Sequence, residues 1–303
     1  MITFNPNIKL AIADVDDTIT VPYVHATAEI VVSLNQFLAD GRSLYLISGG
    51  GLQSIMELVT NLLDPKLRQR ILIAHCSGAE VWGFEKGGEL RQHPFYSLYS
   101  ERITEKNKIL WRTMVEELEE EFGLKVYPTM PSIDFAKHTM GDRKSIMKAD
   151  RGPQITWECV NDLDLREDLI PRANEMIAKY ELPLEIRKGG IFALDFRLKG
   201  VSKDTAVKYV IDSDEILHTI GLSKNGLKPF ESTVETWGDR YMEGKGSDHH
   251  MSLALPRNVR SIDFRKDEDP KHFPQGYNIV LWDGEKSVCE GLLEYLQTST
   301  TSK

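Results

Sequence analysis

The sequence has few cysteines, no long apolar run and no excess of positive charge. Its three cysteines, Cys76, Cys159 and Cys289, lie far apart and form no CxxC pair, so neither a disulfide framework nor a zinc site is indicated. No apolar stretch approaches the ~18 residues of a transmembrane helix, and the N-terminus lacks the basic and apolar regions of a secretory signal. We therefore expect a cytoplasmic protein without a membrane partner.

The charge balance is acidic. Asp and Glu number 46 against 37 Lys and Arg, which gives a net charge of −9 over 303 residues. Because binding to a nucleic-acid backbone needs a basic face, nucleic acid is not an expected partner. A hydrophobic content of 41% is typical of a globular chain, and the length suits one large or two moderate domains. Nothing in the pattern indicates an oligomeric state.

Short apolar runs alternate with amphipathic helical patterns up to about residue 80. The apolar runs at 8–13, 43–47 and 71–74 are separated by helical patterns and predict parallel strands in a sheet that is covered on both faces. The same rhythm resumes with a helix from Lys203 and with strand patterns near 233–237, 261–264 and 277–282. We predict an α/β fold with a Rossmann-like, doubly wound parallel sheet as its core, formed by 1–83 and 201–303.

The segment 84–200 has a different character. Helical patterns at 104–122 and 165–180 stand among short alternating segments at 133–139, 154–160, 184–187 and 191–196, and the stretch 141–152 is read as an irregular loop. Because the βαβ rhythm is missing, we predict an α+β cap domain inserted into the core.

Polar residues follow the predicted strands where ligands bind in open α/β sheets. They are Asp14 and Asp16 after the first strand, Ser48 with Gly49 and Gly50 after the second, Lys203 at a helix start, and Asp239 after a later strand. Each alone is more typical of a turn or a solvated surface. Together, in order and at strand ends, they indicate one site.

Other sites fit these residues poorly. The run from Asp14 to His25 is no calcium loop, since Ile19 stands where the turn glycine belongs and His25 where the bidentate Glu belongs. The glycines at 49–51 match neither the nucleotide P-loop nor the dinucleotide fingerprint.

The set resembles the haloacid dehalogenase-like superfamily, whose motifs are Asp-x-Asp-x-Thr, a strand-terminal Ser or Thr, a Lys, and Gly-Asp followed by a second Asp. The insertion of more than 100 residues between Ser48 and Lys203 resembles the subgroup with a large α/β cap, which includes sugar phosphatases and phosphomannomutases. The resemblance implies that Thr18 braces the first loop and that Asp248 accompanies Asp239. The sequence departs from the commoner Gly-Asp-x-x-Asn-Asp pattern, because eight residues separate these two acids and Ser247 replaces the Asn.

Phosphoryl transfer needs a nucleophile, a proton donor, fixed positive groups and a cation. The predicted roles are nucleophile for Asp14, general acid and base for Asp16, phosphate contacts for Ser48, Gly49, Gly50 and Thr18, and charge neutralisation for Lys203. Mg²⁺ would be bound by Asp14, the backbone carbonyl of Asp16, Asp239 and, less securely, Asp248.

The cap is expected to set substrate specificity. Lys188 and Asp195 lie in a Gly-Gly, strand and Asp pattern that resembles the phosphomannomutase-like members, which implies contacts to sugar hydroxyls. It is at least as good an interpretation that Lys188 and Asp195 are ordinary hairpin residues on a solvated face of the cap. The same two interpretations, a substrate contact or an ordinary surface residue, apply to Lys137 and His138 on the predicted strand 133–139.

We therefore expect a Mg²⁺-dependent phosphatase that acts on a small phosphorylated metabolite, with a sugar phosphate as the favoured substrate. The nearest alternative is a phosphosugar mutase, which returns the phosphoryl group to the sugar. A non-enzymatic phospho-accepting signalling module is a weaker alternative, because such modules have no inserted cap and carry their phosphorylated Asp on a middle strand.

Overall fold

The computed structural model describes residues 2–298, and in them the chain forms two compact units. The larger unit combines the segment up to Tyr96 with the segment from Ser202 onward, and the smaller unit is Ser97–Val201. The sequence-based division at 84 lies earlier in the chain, since a strand at Tyr96–Ser97 still joins the large sheet. None of the helices in the described residues combines the length and the apolar character needed to cross a membrane.

The strands and helices are as follows. The strands are β1 (Leu10–Asp14), β2 (Ser43–Ile47), β3 (Ile71–His75), β4 (Glu80–Gly83), β5 (Tyr96–Ser97), β6 (Lys125–Pro128), β7 (Ser145–Asp150), β8 (Gln154–Glu158), β9 (Leu184–Gly189), β10 (Ala193–Leu198), β11 (Val234–Gly238), β12 (Arg260–Asp263) and β13 (Ile279–Leu281). The helices are α1 (Ala28–Ala39), α2 (Leu52–Leu58), α3 (Leu98–Arg102), α4 (Glu105–Phe122), α5 (Ile133–Met140), α6 (Asp164–Lys179), α7 (Lys203–Ile211), α8 (Asp214–Thr219), α9 (Phe230–Thr233), α10 (His249–Leu253) and α11 (Val288–Gln297).

The larger unit is built on an eight-stranded sheet in the order β13-β12-β11-β1-β2-β3-β4-β5. The pairs from β13 to β3 are parallel, and β4 runs antiparallel to β3. Every residue of β1, β2 and β3 is buried, which explains why these strands are continuous apolar runs in the sequence. The predicted doubly wound α/β core is confirmed.

The smaller unit contains a five-stranded sheet in the order β6-β7-β8-β10-β9. Strand β8 is antiparallel to both β7 and β10, and β10 is antiparallel to β9. Trp157 on β8 is fully buried and donates its Nε1–H to Glu119 of α4 at 3.0 Å, while Lys148 of β7 pairs with the same carboxylate at 2.9 Å. This anchor joins α4 to one face of the sheet.

Two sequence-based predictions in this unit are wrong. The predicted strand at 133–139 is helix α5, whose N-cap Ser132 accepts a hydrogen bond from the backbone N–H of Phe135 at 3.1 Å. Its buried residues Ala136 and Met140 are four positions apart, as in a helix, whereas Phe135 is 55% exposed. The predicted irregular loop 141–152 contains strand β7. Lys137 and His138 therefore lie on a helix.

Candidate active site

The predicted site residues of the larger unit meet at the carboxyl edge of its sheet. Asp14 is the last residue of β1, Ser48 directly follows β2, and Asp239 directly follows β11. Strand β1 pairs in parallel with both β2 and β11, so the three strands end side by side. The sheet topology therefore brings these three side chains to one edge, as residues at parallel strand ends should be.

Lys203 connects two of the acids. Its Nζ lies 2.5 Å from Asp14 Oδ1 and 2.7 Å from Asp248 Oδ1, and the lysine is only 3% exposed. Burial by itself lowers the pKa of a lysine, but Asp14 and Asp248 outweigh that effect and raise the pKa of Lys203. The lysine therefore stays charged at neutral pH.

The carboxyl group of Asp14 is crowded by other acids. Burial raises its pKa well above the ordinary value, Lys203 opposes this shift, and the negative charges of Asp248, Asp239 and Asp16 raise the pKa further. The crowding therefore disfavours the ionised form of Asp14, and further positive charge beside it would favour that form. A bound cation would supply that charge.

Ser48 links the second loop to Asp16. Its hydroxyl donates to Asp16 Oδ2 at 3.0 Å and accepts a hydrogen bond from the backbone N–H of Gly50 at 2.8 Å. The hydroxyl proton is therefore already used, and a phosphate oxygen has to compete with Asp16 for it. Thr18, predicted to brace the first loop, is fully buried, but within residues 2–298 its Oγ1 has no hydrogen-bond partner.

The loop from 239 to 248 is closed by Asp248. Its Oδ2 accepts the backbone N–H groups of Asp239 at 3.0 Å and Arg240 at 2.9 Å. A Cβ built on Gly238 would lie 2.6 Å from the same oxygen, so only glycine leaves room for this carboxylate. Because Lys203 occupies Oδ1, both oxygens of Asp248 are engaged. This arrangement favours an orienting role for Asp248 over direct metal ligation.

Arg265 contacts two acids of the site, although no sequence pattern predicts it. Its Nε and Nη2 donate to Asp239 Oδ2 at 3.0 and 2.6 Å, and Nη2 also donates to Asp17 Oδ2 at 2.9 Å. No role for Asp17 is predicted from the sequence. No motif marks an arginine two residues beyond a late strand, and only the adjacency of β12 to β11 shows the contact.

The turn after β3 was also missed. The N–H of Ser77 donates to the carbonyl of Ser48 at 2.8 Å, and both Ser77 and Gly78 have left-handed backbones. A Cβ on Gly78 would lie 2.8 Å from Ala206 Cβ and 3.0 Å from the carbonyl oxygen of Ser202. This turn therefore supports the Ser48 loop and packs against the start of α7. The Ser-Gly pair after the third apolar run was the available signal.

The acidic cluster fits a hard divalent cation. Ligand atoms of Asp14, Asp239 and Asp248 lie within 4.8 Å of one another, and all three residues are buried. Burial and Asp248 raise the pKa of Asp239 to about 7 although Arg265 opposes the shift. Among the described residues, no donor binds Asp14 Oδ2 or Asp239 Oδ1. Two open carboxylate oxygens in a site where the acids outnumber the basic side chains suit Mg²⁺, which accepts few protein ligands and keeps several waters.

The two predicted sugar contacts in the smaller unit are not brought together. In the β9–β10 register Lys188 is opposite Leu194, so Lys188 and Asp195 lie on opposite faces of the sheet. Lys188 forms an ion pair with Glu167 of α6. Asp195 instead accepts hydrogen bonds from Thr156 Oγ1 at 2.7 Å and Gln154 Nε2 at 2.9 Å.

A large cleft lies elsewhere in the larger unit. Its volume is about 960 Å³, and its lining includes Lys9, Arg42 and Thr233, which directly precede β1, β2 and β11. It is therefore at the amino edge of the sheet, away from the acidic cluster.

Comparisons with known proteins give the fold. No family model and no curated protein sequence matches the chain. Among solved structures, a haloacid dehalogenase-like hydrolase from Bacteroides thetaiotaomicron is 16% identical with a TM-score of 0.61, covering 96% of this chain and 98% of that one. The C-terminal domain of the C. albicans trehalose-6-phosphate phosphatase is 14% identical with a TM-score of 0.61, covering 97% and 93%. A trehalose-6-phosphate phosphatase related protein is 13% identical with a TM-score of 0.53, covering 97% and 100%. The chain has the haloacid dehalogenase-like fold that its motifs predicted.

Proposed function

We propose that this protein is a Mg²⁺-dependent phosphatase that hydrolyses a small sugar phosphate through an aspartyl-phosphate on Asp14. The observation that carries the proposal is the position of Asp14. One of its oxygens is 2.5 Å from the buried ammonium of Lys203, and the other has no donor among the described residues. A carboxylate that is fixed on one side and open on the other is suited to nucleophilic attack.

In the first step Asp14 Oδ2 attacks phosphorus, a new oxygen–phosphorus bond forms and the ester oxygen leaves. Asp16 donates a proton to that oxygen. The Ser48 hydroxyl, 3.0 Å from Asp16 Oδ2, holds the Asp16 carboxyl in place. When Ser48 turns to a phosphate oxygen, this hydrogen bond is released and Asp16 transfers its proton to the leaving oxygen.

In the second step Asp16, now ionised, removes a proton from water. The water oxygen bonds to phosphorus, the bond to Asp14 breaks, and inorganic phosphate leaves. Lys203 contributes a fixed positive charge beside Asp14 in both steps. Mg²⁺, when bound by Asp14, Asp239 and the backbone carbonyl of Asp16, would neutralise the charge of the phosphate.

The preference for a sugar phosphate rests on the resemblance and is supported by fold relatives that are named trehalose-6-phosphate phosphatases. Asp195 stays a proposed sugar contact, because its hydrogen-bonded carboxylate lies on a strand face with other polar groups. Lys188 is not included, since its ammonium pairs with Glu167 on the other face.

The test is a panel of phosphorylated metabolites assayed for Mg²⁺-dependent phosphate release. We expect the wild-type protein to release phosphate from a sugar phosphate, Asp14→Asn to release none, and Asp16→Asn to be slower by roughly 100-fold or more. Circular dichroism of each variant controls for folding. Full activity in Asp14→Asn would contradict the mechanism.

The alternatives give different products. A mutase would convert a hexose 1-phosphate into the 6-phosphate with little free phosphate, whereas a phosphatase releases phosphate. A signalling module would accumulate a stable phosphoenzyme without turnover. Both outcomes would overturn the proposed hydrolase.

A further inference from the structure

The backbone of Arg265 is held by a hydrogen bond, separately from the contacts of its side chain with Asp239 and Asp17. Its N–H donates to Asp263 Oδ1 at 2.9 Å, and the other oxygen of Asp263 accepts the N–H of Tyr241 at 3.1 Å. Asp263 is fully buried at the end of β12. One carboxylate therefore fixes both the Arg265 backbone and the loop that starts at Asp239.

The guanidinium group of Arg265 then joins two loops. It contacts Asp239 Oδ2, in the loop after β11, and Asp17 Oδ2, in the loop after β1. Asp17 has a left-handed backbone, with φ of 58°, which few residues other than glycine, Asn and Asp adopt readily. The open oxygens of the cation site lie where these two loops begin, because Asp14 ends β1 and Asp239 follows β11.

We propose that Arg265 and Asp17 form a bridge that makes the cation site select Mg²⁺ over Ca²⁺. The inference rests on the proposed function, which places Mg²⁺ between Asp14 and Asp239. Mg²⁺ requires near-octahedral ligands at about 2.0–2.1 Å, whereas Ca²⁺ accepts ligands at about 2.3–2.6 Å and often takes both oxygens of a carboxylate.

The bridge acts on both differences between the two ions, the number of carboxylate oxygens that they take and the ligand distances that they require. Two N–H groups of Arg265 occupy Asp239 Oδ2, so only Oδ1 is left for a cation and two-oxygen coordination is blocked. The contact with Asp17 holds the β1 loop and the β11 loop at a fixed separation, which favours the smaller and more demanding ion.

The positive charge of Arg265, without the bridge, is a different explanation of its effect on cation binding. Arg240 allows the two explanations to be told apart. Its Nε lies 3.7 Å from the same oxygen of Asp239, and its side chain is 46% exposed. Removal of a positive charge at either position strengthens the binding of both cations together, because Mg²⁺ and Ca²⁺ carry the same charge. Only loss of the bridge changes the ratio of the Ca²⁺ Kd to the Mg²⁺ Kd.

The test is a calorimetric titration of metal-free protein, once with MgCl₂ and once with CaCl₂. The variants are Arg265→Met, Asp17→Gly and Arg240→Met, with urea unfolding as the folding control. Glycine removes the Asp17 carboxylate and still accepts the left-handed backbone at this position. In Arg265→Met and Asp17→Gly we expect the ratio of the Ca²⁺ Kd to the Mg²⁺ Kd to fall about tenfold, the lower end of the usual effect of a residue that supports a metal ligand. Arg240→Met should keep the wild-type ratio.

An unchanged ratio in folded Arg265→Met and Asp17→Gly overturns the bridge, and so does an equal fall in Arg240→Met. If Arg265→Met does not fold, Asp17→Gly alone decides, because it leaves the Arg265–Asp239 contact in place. The readout does not depend on turnover: a protein that shows the ratio change but releases no phosphate refutes the proposed phosphatase and keeps the bridge. A wild-type protein that binds neither cation refutes the metal site and the bridge together.

Discussion

Replacement of Asp239 by asparagine should make the metal-free protein more stable at pH 8 and leave its stability near pH 4 almost unchanged. Burial and the neighbouring Asp248 raise the pKa of Asp239 from 3.8 to about 7 in the folded chain. Between these two values the folded state binds more protons than the unfolded state. The stability contributed by this group therefore falls as pH rises from about 4 to about 7.

The size of the effect follows from the shift. A difference of about three pKa units at about 1.4 kcal/mol each destabilises the folded state at pH 8 on the order of 4 kcal/mol. Asparagine resembles the protonated acid and still offers an oxygen to Arg265, so the variant avoids this loss. Because Asp239 is only 4% exposed, solvent screens the effect little.

The measurement is urea unfolding from pH 4 to pH 8 in the presence of a chelator, for the wild-type protein, Asp239→Asn and the control Asp267→Asn, which changes an exposed acid. The wild-type free energy of unfolding should fall more steeply than that of Asp239→Asn, and the control should follow the wild type. At pH 8, Mg²⁺ should then stabilise the wild type more than the variant. Parallel profiles for the wild type and Asp239→Asn would refute the assigned charge crowding.

Two further substitutions test the contacts around the site and in the smaller unit. Ser48→Ala should lower kcat by about 100-fold, the usual loss when a donor to a developing negative charge is removed, whereas Ser48→Thr should retain most of the wild-type kcat. Steady-state assays with the best substrate measure both values. An unchanged kcat in Ser48→Ala would contradict a phosphate contact. Glu119→Ala leaves Trp157 Nε1 without its acceptor and should destabilise the smaller unit by about 2–3 kcal/mol in urea unfolding, while the exposed Glu116→Ala on the same helix should have little effect.

The core could be predicted from the sequence because its signals are local. Strands β1, β2 and β3 are buried on both faces and therefore appear as apolar runs. The run of β1 ends at Asp14, and the run of β2 is followed at once by Ser48. In a parallel sheet those residues share an edge whatever their distance along the chain, so Asp14, Ser48 and Asp239 could be grouped without a structure.

The errors have physical causes. In 133–139 the apolar Ile133 and Phe135 alternate with polar residues as in a strand, but the Ser132 cap and the spacing of Ala136 and Met140 favour a helix. Such a short segment fits both periods. Side-chain direction in a strand depends on register, which is why the sequence does not show that Lys188 and Asp195 lie on opposite faces of the sheet.

Arg265 could not be predicted for another reason. Its partners lie 26 and 248 positions away in sequence, and it belongs to no motif. Only the side-by-side placement of β12 and β11 brings it to Asp239.

The sheet order also has a consequence for the order of folding. The central strand β1 finds β2 early in synthesis, but its other neighbour β11 pairs with it as Leu10 opposite Val234, after the whole smaller unit has been made. Until then one edge of a strand that is apolar as far as Asp14 has no partner, which is a hazard for aggregation in a nascent chain. The smaller unit comes from one continuous segment and can complete its contacts first. Asp14 meets Lys203, Asp248 and Asp239 only when the last third of the chain docks, so the acidic cluster assembles late in folding.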